Sequence, residues 1–460
     1  MGKNVSLKGI AVLALICFLA ITCITLFKNA LELEDAEQAY YSQWLRLGYD
    51  DQPPLYTWIQ YVFNQIFGVN KISLSLLRGL LFAGILWVLH KFSSLRIKEM
   101  DKSKLAVLVL VLVPVFIDFT FRRLSHTSLL CLCIIGAYYC IQQLMYHKSY
   151  LNYVLFGLLM GVGILSKYNY IFFLMTLFLV SIWDKELRAV IWNFKIMISV
   201  GIAGMLVLPH MYWLLGPFGY RSFLAESIQA KVMGDEVHTG FSMTPIITYF
   251  KGSLALIYLI FIVAIVSYFL KQIKFKKPFY DWFFKMFITQ SIILFLFFMI
   301  FQTQKVETRW LLPLFVPFAI LLIESISFKN SNKFVKIGFW TFYIVIFAQT
   351  VRTPIEKLLQ IKSSVQYGFS PIADKLKVNY EEYKWKLPNV TYAGNIRLLN
   401  PERTIIAQDD YSLSSNNPDF EKEINVSFIK PIESNQKVVD SIIGFGKEKE
   451  DLYFYIESRN

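Results

Sequence analysis

The chain has 460 residues, of which 55% are hydrophobic, 17% aromatic and only 17% charged. A soluble globular protein of this length would be much less apolar, so the composition indicates a membrane protein that crosses the bilayer several times. The formal net charge of +13 would suit a nucleic-acid-binding protein, but the basic residues are concentrated in short loops between apolar runs. We therefore attribute the charge to membrane topology and expect no nucleic-acid partner.

About eleven apolar runs are long enough to form membrane-spanning helices of roughly twenty residues. The first run follows Lys3 and Lys8 as in a signal peptide, but its length favours an anchor that is not cleaved. In chain order the runs are 10–27, 74–92, 105–119, 128–145, 153–165, 170–183, 197–215, 254–270, 287–301, 311–323 and 337–348.

The loops between these runs alternate in their content of Lys and Arg. With the N-terminus in the cytoplasm, the basic loops fall on the cytoplasmic side, as the positive-inside rule requires. Five polar segments then share the outer side, where together they can build one site. The segment 216–250 is either a lid over the substrate or a plain connector. The five segments are 28–71, 122–123, 166–168, 216–250 and 305–309.

After the last apolar run the composition changes, because charged and polar residues return. Short stretches of strand-forming residues alternate with Pro, Asn, Asp and Gly turns. We predict that residues 1–350 form the membrane domain and that residues 351–460 form a small α/β domain on the outer face. The predicted strands are 389–393, 404–407, 424–429 and 452–456.

The most acidic segment follows the first apolar run and ends at Pro53 and Pro54. Residues 35–47 and 55–67 have the pattern of amphipathic helices that lie in the membrane interface. Carboxylates held there can take a proton from a nucleophile or bind a divalent cation. The simpler alternative is a solvated acidic loop. The carboxylates are those of Glu34, Asp35, Glu37, Asp50 and Asp51.

Three motifs resemble elements of a known enzyme family. The run EDAEQAYYSQWLRLGYDDQPPL (residues 34–55) resembles the first outer loop of the glycosyltransferases of family 39, which use lipid-linked sugars. The segments GVGILSKYNY (161–170) and ETRWLLP (307–313) are similar to two further elements of that family. The resemblance implies a GT-C fold, as in protein O-mannosyltransferases and in the aminoarabinose transferase that modifies lipid A.

The resemblance also implies roles for individual acidic residues. Glu34 stands where the family usually has its catalytic Asp, and Asp35 where the family has Glu, so the order of the two acids is reversed. The general base is therefore Glu34 or Asp35, with Glu37 as a third choice. Asp51, shortly before the two prolines, is expected to help bind a cation or to position the donor phosphate.

Two basic residues at the outer ends of predicted helices, Lys167 and Arg309, are suited to hold a lipid phosphate. For each one alone, the alternative is a side chain that extends to the membrane interface and binds no ligand. Their location on the side of the acidic loop favours phosphate binding. The full set of predicted substrate contacts is Glu37, Tyr40, Lys167, Tyr168, Arg309 and Arg123.

The sequence thus favours an inverting glycosyltransferase of the cell inner (cytoplasmic) membrane that transfers a hexose or a pentose from a polyprenyl-phosphate donor. The acceptor is a lipid, a glycan or a protein on the outer side. The main alternative is a non-catalytic transporter of lipid-linked saccharides or a polysaccharide-assembly protein. A transporter would carry ionisable residues near the middle of its spans, where this chain has few. No zinc-ligand spacing is present, and a requirement for Mg²⁺ or Mn²⁺ stays open.

Overall fold

Helices make up most of the structure, a computed structural model that describes residues 2–50, 52–123, 125–216, 219, 242–277, 279–361, 363–410, 412–413, 422–432, 435–445 and 449–457. In chain order the helices are α1 (Gly2–Phe27), α2 (Leu33–Tyr41), α3 (Leu55–Phe67), α4 (Lys71–Arg96), α5 (Met100–Leu108), α6 (Pro114–Arg122), α7 (Ser125–Tyr146), α8 (Tyr150–Ser166), α9 (Tyr170–Trp183), α10 (Lys185–Ile191), α11 (Ile196–Leu214), α12 (Thr244–Phe269), α13 (Trp282–Ile300), α14 (Thr308–Glu324), α15 (Ser331–Leu358), α16 (Ser370–Asn379) and α17 (Val390–Leu399).

Seven of the described helices are long and apolar enough to cross a membrane, namely α1, α4, α7, α11, α12, α13 and α15. Helices α5 and α6, with the 3-10 turn between them, give an eighth crossing if they count as one span bent by 76°. The bend coincides with Pro114, which lacks the N–H that a continuous helix needs. Helices α8 and α9 and the apolar part of α14 are shorter. All eleven predicted runs are helical, and the prediction of a multi-span helical membrane protein is confirmed.

Close contact between helices orders the membrane domain. Helices α1, α4, α7, α8 and α11 pack side by side in that order. A Cβ atom added to Gly157 of α8 would lie only 2.7 Å from the backbone of Ser199 in α11. The two helices therefore approach as closely as small residues allow, which is a common way of packing helices inside a bilayer.

The C-terminal part of the chain forms a five-stranded mixed sheet with the order β4, β3, β5, β7, β6. Strand β3 pairs in parallel with β4 and β5, whereas β7 pairs antiparallel with β5 and β6. A separate short antiparallel pair, β1 and β2, follows helices α12 and α14. The strands are β1 (Ile273–Phe275), β2 (Ile326–Phe328), β3 (Lys384–Leu387), β4 (Ile405–Ala407), β5 (Glu423–Ser427), β6 (Gln436–Phe445) and β7 (Glu450–Glu457).

The structure corrects three local predictions. Residues 389–393 are not a strand but the start of α17, because the Asn389 side chain caps the helix by accepting a hydrogen bond from the Tyr392 N–H. Helix α15 continues past the predicted domain boundary at residue 350 and ends at Leu358. The predicted amphipathic helix 35–47 is the shorter α2, which begins at Leu33, whereas α3 coincides with the prediction for 55–67.

Helix α2 packs closely against α17 of the C-terminal domain. The tyrosine rings of Tyr40, Tyr41 and Tyr49 belong to the same buried apolar cluster as the core of the sheet. The Leu31 N–H donates to the Asn395 side chain over 2.7 Å, and that side chain donates back to the Leu31 carbonyl over 3.2 Å. Gln43 makes the same two-way contact with the backbone of Ile405, at 2.9 and 3.1 Å. The sheet domain therefore holds the loop after α1 in place.

The contact between α17 and α2 has no room for an additional methyl group. A Cβ atom on Gly394 would lie 2.0 Å from the carbonyl oxygen of Ala36. We expect Gly394→Ala to separate the two helices at a cost of about 1–3 kcal/mol, which exceeds the gain in helix propensity of roughly 1 kcal/mol. Differential scanning fluorimetry should show a lower melting temperature, and limited proteolysis should release the C-terminal domain more readily.

Gly368→Ala is the matched control, because a Cβ atom there meets nothing within 4 Å. If both variants melt at the same temperature as the unmodified protein, the close contact between α17 and α2 does not exist in solution.

Candidate active site

A buried ion pair fixes the start of α2. The carboxylate of Asp35 lies 2.9 Å from Arg78 on α4 and 3.3 Å from Lys28, the residue after α1. Asp35 is 3% exposed, and both basic side chains are fully buried. Arg78 also donates to the carbonyls of Phe121 and Arg122. Because Arg78 also binds the end of α6, the Asp35 carboxylate links α2 to α1, α4 and α6, and Asp35 acts as an anchor.

Glu34, one residue earlier, faces a different partner. Its carboxylate accepts a hydrogen bond of 3.1 Å from Arg309, in the first turn of α14. The two side chains are 16% and 33% exposed, so the pair lies at the edge of the buried region. Glu34 Oε2 and Arg309 Nε are buried, and neither finds a hydrogen-bond partner within the described part of the chain. Such unsatisfied polar atoms are expected where a ligand binds.

Lys167, which follows α8, belongs to the same group of charges. Its ammonium donates to the hydroxyl of Thr127 over 2.9 Å. Burial and, to a smaller extent, the positive charge of Arg309 lower the pKa of Lys167, and the negative charges of Glu34 and Glu37 oppose this shift; the resulting pKa is about 8. Arg309, Glu34 and Glu37 are thus near enough to act on this ammonium. Four of the predicted site residues come together here.

A second hydrogen-bonded group holds α2 against the membrane domain. Gln38 of α2 lies 3.1 Å from the ring nitrogen Nε2 of His126 on α7, and the Thr57 hydroxyl donates to Gln38 over 3.1 Å. His126 is buried, with 7% of its surface exposed. Sequence reasoning missed Gln38 because a glutamine in a polar loop has no distinguishing pattern. The role of Arg78 could have been predicted, since an arginine inside an apolar run needs a nearby anionic partner.

Tyr168 and His210 connect the site to α11. The His210 Nδ1 lies 2.8 Å from the carbonyl of Leu47, which can only accept, so Nδ1 carries the proton. In the neutral ring Nε2 is then the acceptor, and it receives the hydroxyl of Tyr168 over 3.2 Å. Burial raises the pKa of Tyr168. A Cβ atom on Gly48 would lie 2.0 Å from the ring of Trp213, so α11 also packs directly on the loop.

Two predicted substrate contacts have other partners. Tyr40 is fully buried, and its hydroxyl donates to Asp410 over 2.9 Å and accepts from the Ala407 N–H over 3.1 Å. These contacts join α2 to the C-terminal domain. The guanidinium of Arg123 lies 4.4 Å from the centroid of the Phe119 ring.

Burial alone would raise the pKa of Glu32, but Lys28, Arg122 and Arg123 together lower it.

Some predictions fall on residues whose placement is not described. Asp51 lies outside the described residues, as does most of the predicted lid, at 217–218 and 220–241. Neighbouring Asp50 is described: it has a positive φ of 32° and accepts a hydrogen bond of 3.3 Å from the Tyr41 hydroxyl. Among the described residues, no group of three or more His, Cys, Asp or Glu side chains is arranged to hold a metal ion.

The arrangement of helices and the site define a class of protein, the polytopic membrane proteins with a GT-C fold. Two crystal structures of ArnT from Cupriavidus metallidurans, one bound to undecaprenyl phosphate and one in the apo state, superpose on 99% of this chain and 98% of theirs. The TM-scores are 0.60 and 0.59 at 12% and 13% sequence identity. At this identity the likeness shows the fold, and it confirms the GT-C fold that the first loop indicated.

Sequence comparisons identify relatives more specifically. Residues 51–213 match the family model described as dolichyl-phosphate-mannose-protein mannosyltransferase. The lipopolysaccharide core galacturonosyltransferases RgtB and RgtA of Rhizobium johnstonii are 31% identical over 188 residues and 27% identical over 195 residues. These alignments take in 40% and 42% of this chain, and the chain covers 38% and 39% of the length of these relatives. The predicted resemblance to GT-C glycosyltransferases of the mannosyltransferase and ArnT type is thereby confirmed.

The two neighbouring acids should respond differently to removal of their charge. Asp35→Asn leaves the buried Arg78 without its carboxylate partner, while Lys28 keeps Glu32, and we expect this to cost about 3–5 kcal/mol. Glu34→Gln breaks a partly exposed ion pair, which is worth about 0–1 kcal/mol. Thermal unfolding of the purified variants should therefore show a large fall in melting temperature for Asp35→Asn and a small one for Glu34→Gln. Equal falls would contradict the assignment of Asp35 as the anchor.

Proposed function

We propose that the protein is a membrane glycosyltransferase that takes a sugar from a polyprenyl-phosphate donor and transfers it to an acceptor on the outer side of the cytoplasmic membrane. Two kinds of comparison support this proposal. Relatives identified by sequence are named as mannosyl- and galacturonosyltransferases. The protein that shares the fold has been crystallised with undecaprenyl phosphate. The positive-inside distribution of Lys and Arg supports the outer location of the site.

One observation supports the chemistry above all others: the Glu34 carboxylate touches Arg309, and the charges of both act on the ammonium of Lys167. A carboxylate can serve as general base, while two fixed cations can neutralise the phosphate that leaves with the lipid. These are the groups that sugar transfer from a lipid phosphate requires. Lys167 directly follows the apolar helix α8, and Arg309 lies in the first turn of the apolar helix α14. Both positions are at depths where a lipid headgroup can reach them.

The proposed reaction is a single displacement at the anomeric carbon of the sugar. Glu34 accepts the proton of the acceptor hydroxyl while the acceptor oxygen forms a bond to the anomeric carbon. The bond from that carbon to the phosphate oxygen breaks with its electron pair, and Lys167 and Arg309 stabilise the resulting lipid phosphate. A single displacement inverts the configuration of the sugar. The proposal includes assistance from Asp51, either with a Mg²⁺ or Mn²⁺ ion or without one.

The ion pair between Glu34 and Arg309 suggests how the donor frees the base. When a donor phosphate binds Arg309, the guanidinium has a second anion to pair with, so Glu34 is released toward the acceptor.

The role of Glu34 can be tested directly in membranes supplied with radiolabelled polyprenyl-phosphate sugars. Loss of a general base commonly slows a reaction by about 10²–10⁴-fold, so we expect Glu34→Gln to lower kcat by at least 10²-fold. Glu381→Gln is the matched control. It makes the same chemical change at an exposed position of the C-terminal domain.

Full transfer activity in Glu34→Gln would show that Glu34 is not the base. Movement of intact donor across the membrane without cleavage of its sugar would favour the non-catalytic transporter instead.

The pH dependence of the reaction provides a second test. Lys167 carries its positive charge below its pKa of about 8 and loses it above. Because kcat/KM reports ionisations of the free enzyme, we expect kcat/KM for the donor to fall as the pH rises through about 8. Arginine stays protonated over this range, so Lys167→Arg should remove the fall.

Lys305→Arg is the control for this experiment, since the Lys305 side chain is 80% exposed. It should keep the pH profile of the unmodified protein. If Lys167→Arg also keeps the fall above pH 8, another group causes it and Lys167 does not bind the donor phosphate.

A further inference from the structure

A large polar cavity lies at the end of the membrane domain opposite the acidic loop. Helix α4 begins beside that loop, where Lys71 donates to the carbonyl of Lys28. Its other end, at Arg96, lines the cavity, whose volume is about 880 Å³. This volume is typical of binding sites for small ligands. By the distribution of basic loops, this end of the protein faces the cytoplasm.

The carboxylates of the cavity are largely paired already. Arg96 contacts Asp281 over 2.7 Å and Glu324 over 2.9 Å. The ammonium of Lys285 lies 2.8 Å from Asp184. Of the four carboxylates that line the cavity, these pairs occupy three and leave only that of Glu186.

Five lysines of the lining remain outside these pairs. None of them forms an ion pair with another residue in the described part of the chain, and all five contribute to one concave surface. The lining has seven basic and four acidic side chains, a net charge of +3. A concave surface with surplus positive charge attracts anions more strongly than scattered lysines do. The five are Lys98, Lys102, Lys185, Lys276 and Lys277.

Aromatic side chains in the lining place the cavity at the depth of lipid headgroups. Trp183 is 50% exposed, and Phe279 and Tyr280 are each 74% exposed. Aromatic residues of this kind concentrate where hydrocarbon meets water. A ligand in this position can therefore have its charged group among the lysines and its apolar part in the membrane.

We propose that this cavity binds a phosphate group, carried by the headgroup of an anionic lipid in the cytoplasmic leaflet. The positive-inside rule alone would place lysines anywhere in the cytoplasmic loops. Lys274, Lys329 and Lys333 are examples, since they lie outside the lining of the cavity. The convergence of five others on one cavity is what a phosphate-binding site needs. The site is separate from the proposed active site and does not depend on its chemistry.

The test compares two triple variants that remove the same charge from the same side. The cavity variant is Lys98→Gln with Lys276→Gln and Lys277→Gln, and the control is Lys274→Gln with Lys329→Gln and Lys333→Gln. Binding of phosphatidylglycerol and of phosphatidylcholine to the purified protein is measured by native mass spectrometry. Because each lysine near an anionic membrane surface strengthens lipid binding, we expect the cavity variant to bind phosphatidylglycerol at least about tenfold more weakly. The control should bind it as the unmodified protein does.

A second arm identifies the source of the phosphate. Inorganic pyrophosphate is added to protein in detergent without lipid, and the melting temperature is recorded. A rise that the cavity variant loses, without selective binding of phosphatidylglycerol, supports the same phosphate site with a soluble ligand. Equal weakening of both triple variants, or no effect of the cavity variant in either arm, overturns the proposal. Single variants Lys98→Gln and Lys277→Gln, each with a smaller loss, serve if the triple variant does not fold.

Discussion

The structure of the site depends on one buried carboxylate. Asp35 is the shared anion of Arg78 on α4 and of Lys28 directly after α1, and Lys28 also pairs with Glu32 over 2.9 Å. In a low-dielectric surrounding, an unpaired arginine or lysine would cost several kcal/mol, so the three groups stay together or the packing of α1, α4 and α2 is lost. The same ion pairs therefore stabilise the helix bundle and hold α2 in its position.

Helix α2 is held from two sides. The ion pair and the contact between Gln38 and His126 attach it to the membrane domain. On the side of the sheet domain, Gly394 packs against Ala36 of α2, and Asn395 binds the backbone of Leu31 just before the helix. A nine-residue helix has little stability of its own in water. These contacts supply what its length does not, and they give the C-terminal domain a physical role in positioning the acidic residues.

Much of this arrangement was accessible from the sequence, for reasons that differ from residue to residue. The apolar runs are read from length and hydropathy alone, and the alternation of basic loops places Glu34, Lys167 and Arg309 on one side. The different partners of Glu34 and Asp35 could not be predicted from the sequence, because they depend on which side of α2 faces the bundle. The role of Tyr40 was also hidden, since its partner Asp410 is 370 residues away in the sequence. Pairings at such separations leave no local pattern.

The reversed order of the two acids has a structural explanation in this chain. Successive residues of a helix point about 100° apart, so only one of the two can face the buried cations of α1 and α4. The position that faces them, 35, carries the shorter aspartate, which fits between two side chains at 2.9 and 3.3 Å. The position that faces α14 carries glutamate, whose additional methylene extends the carboxylate to Arg309.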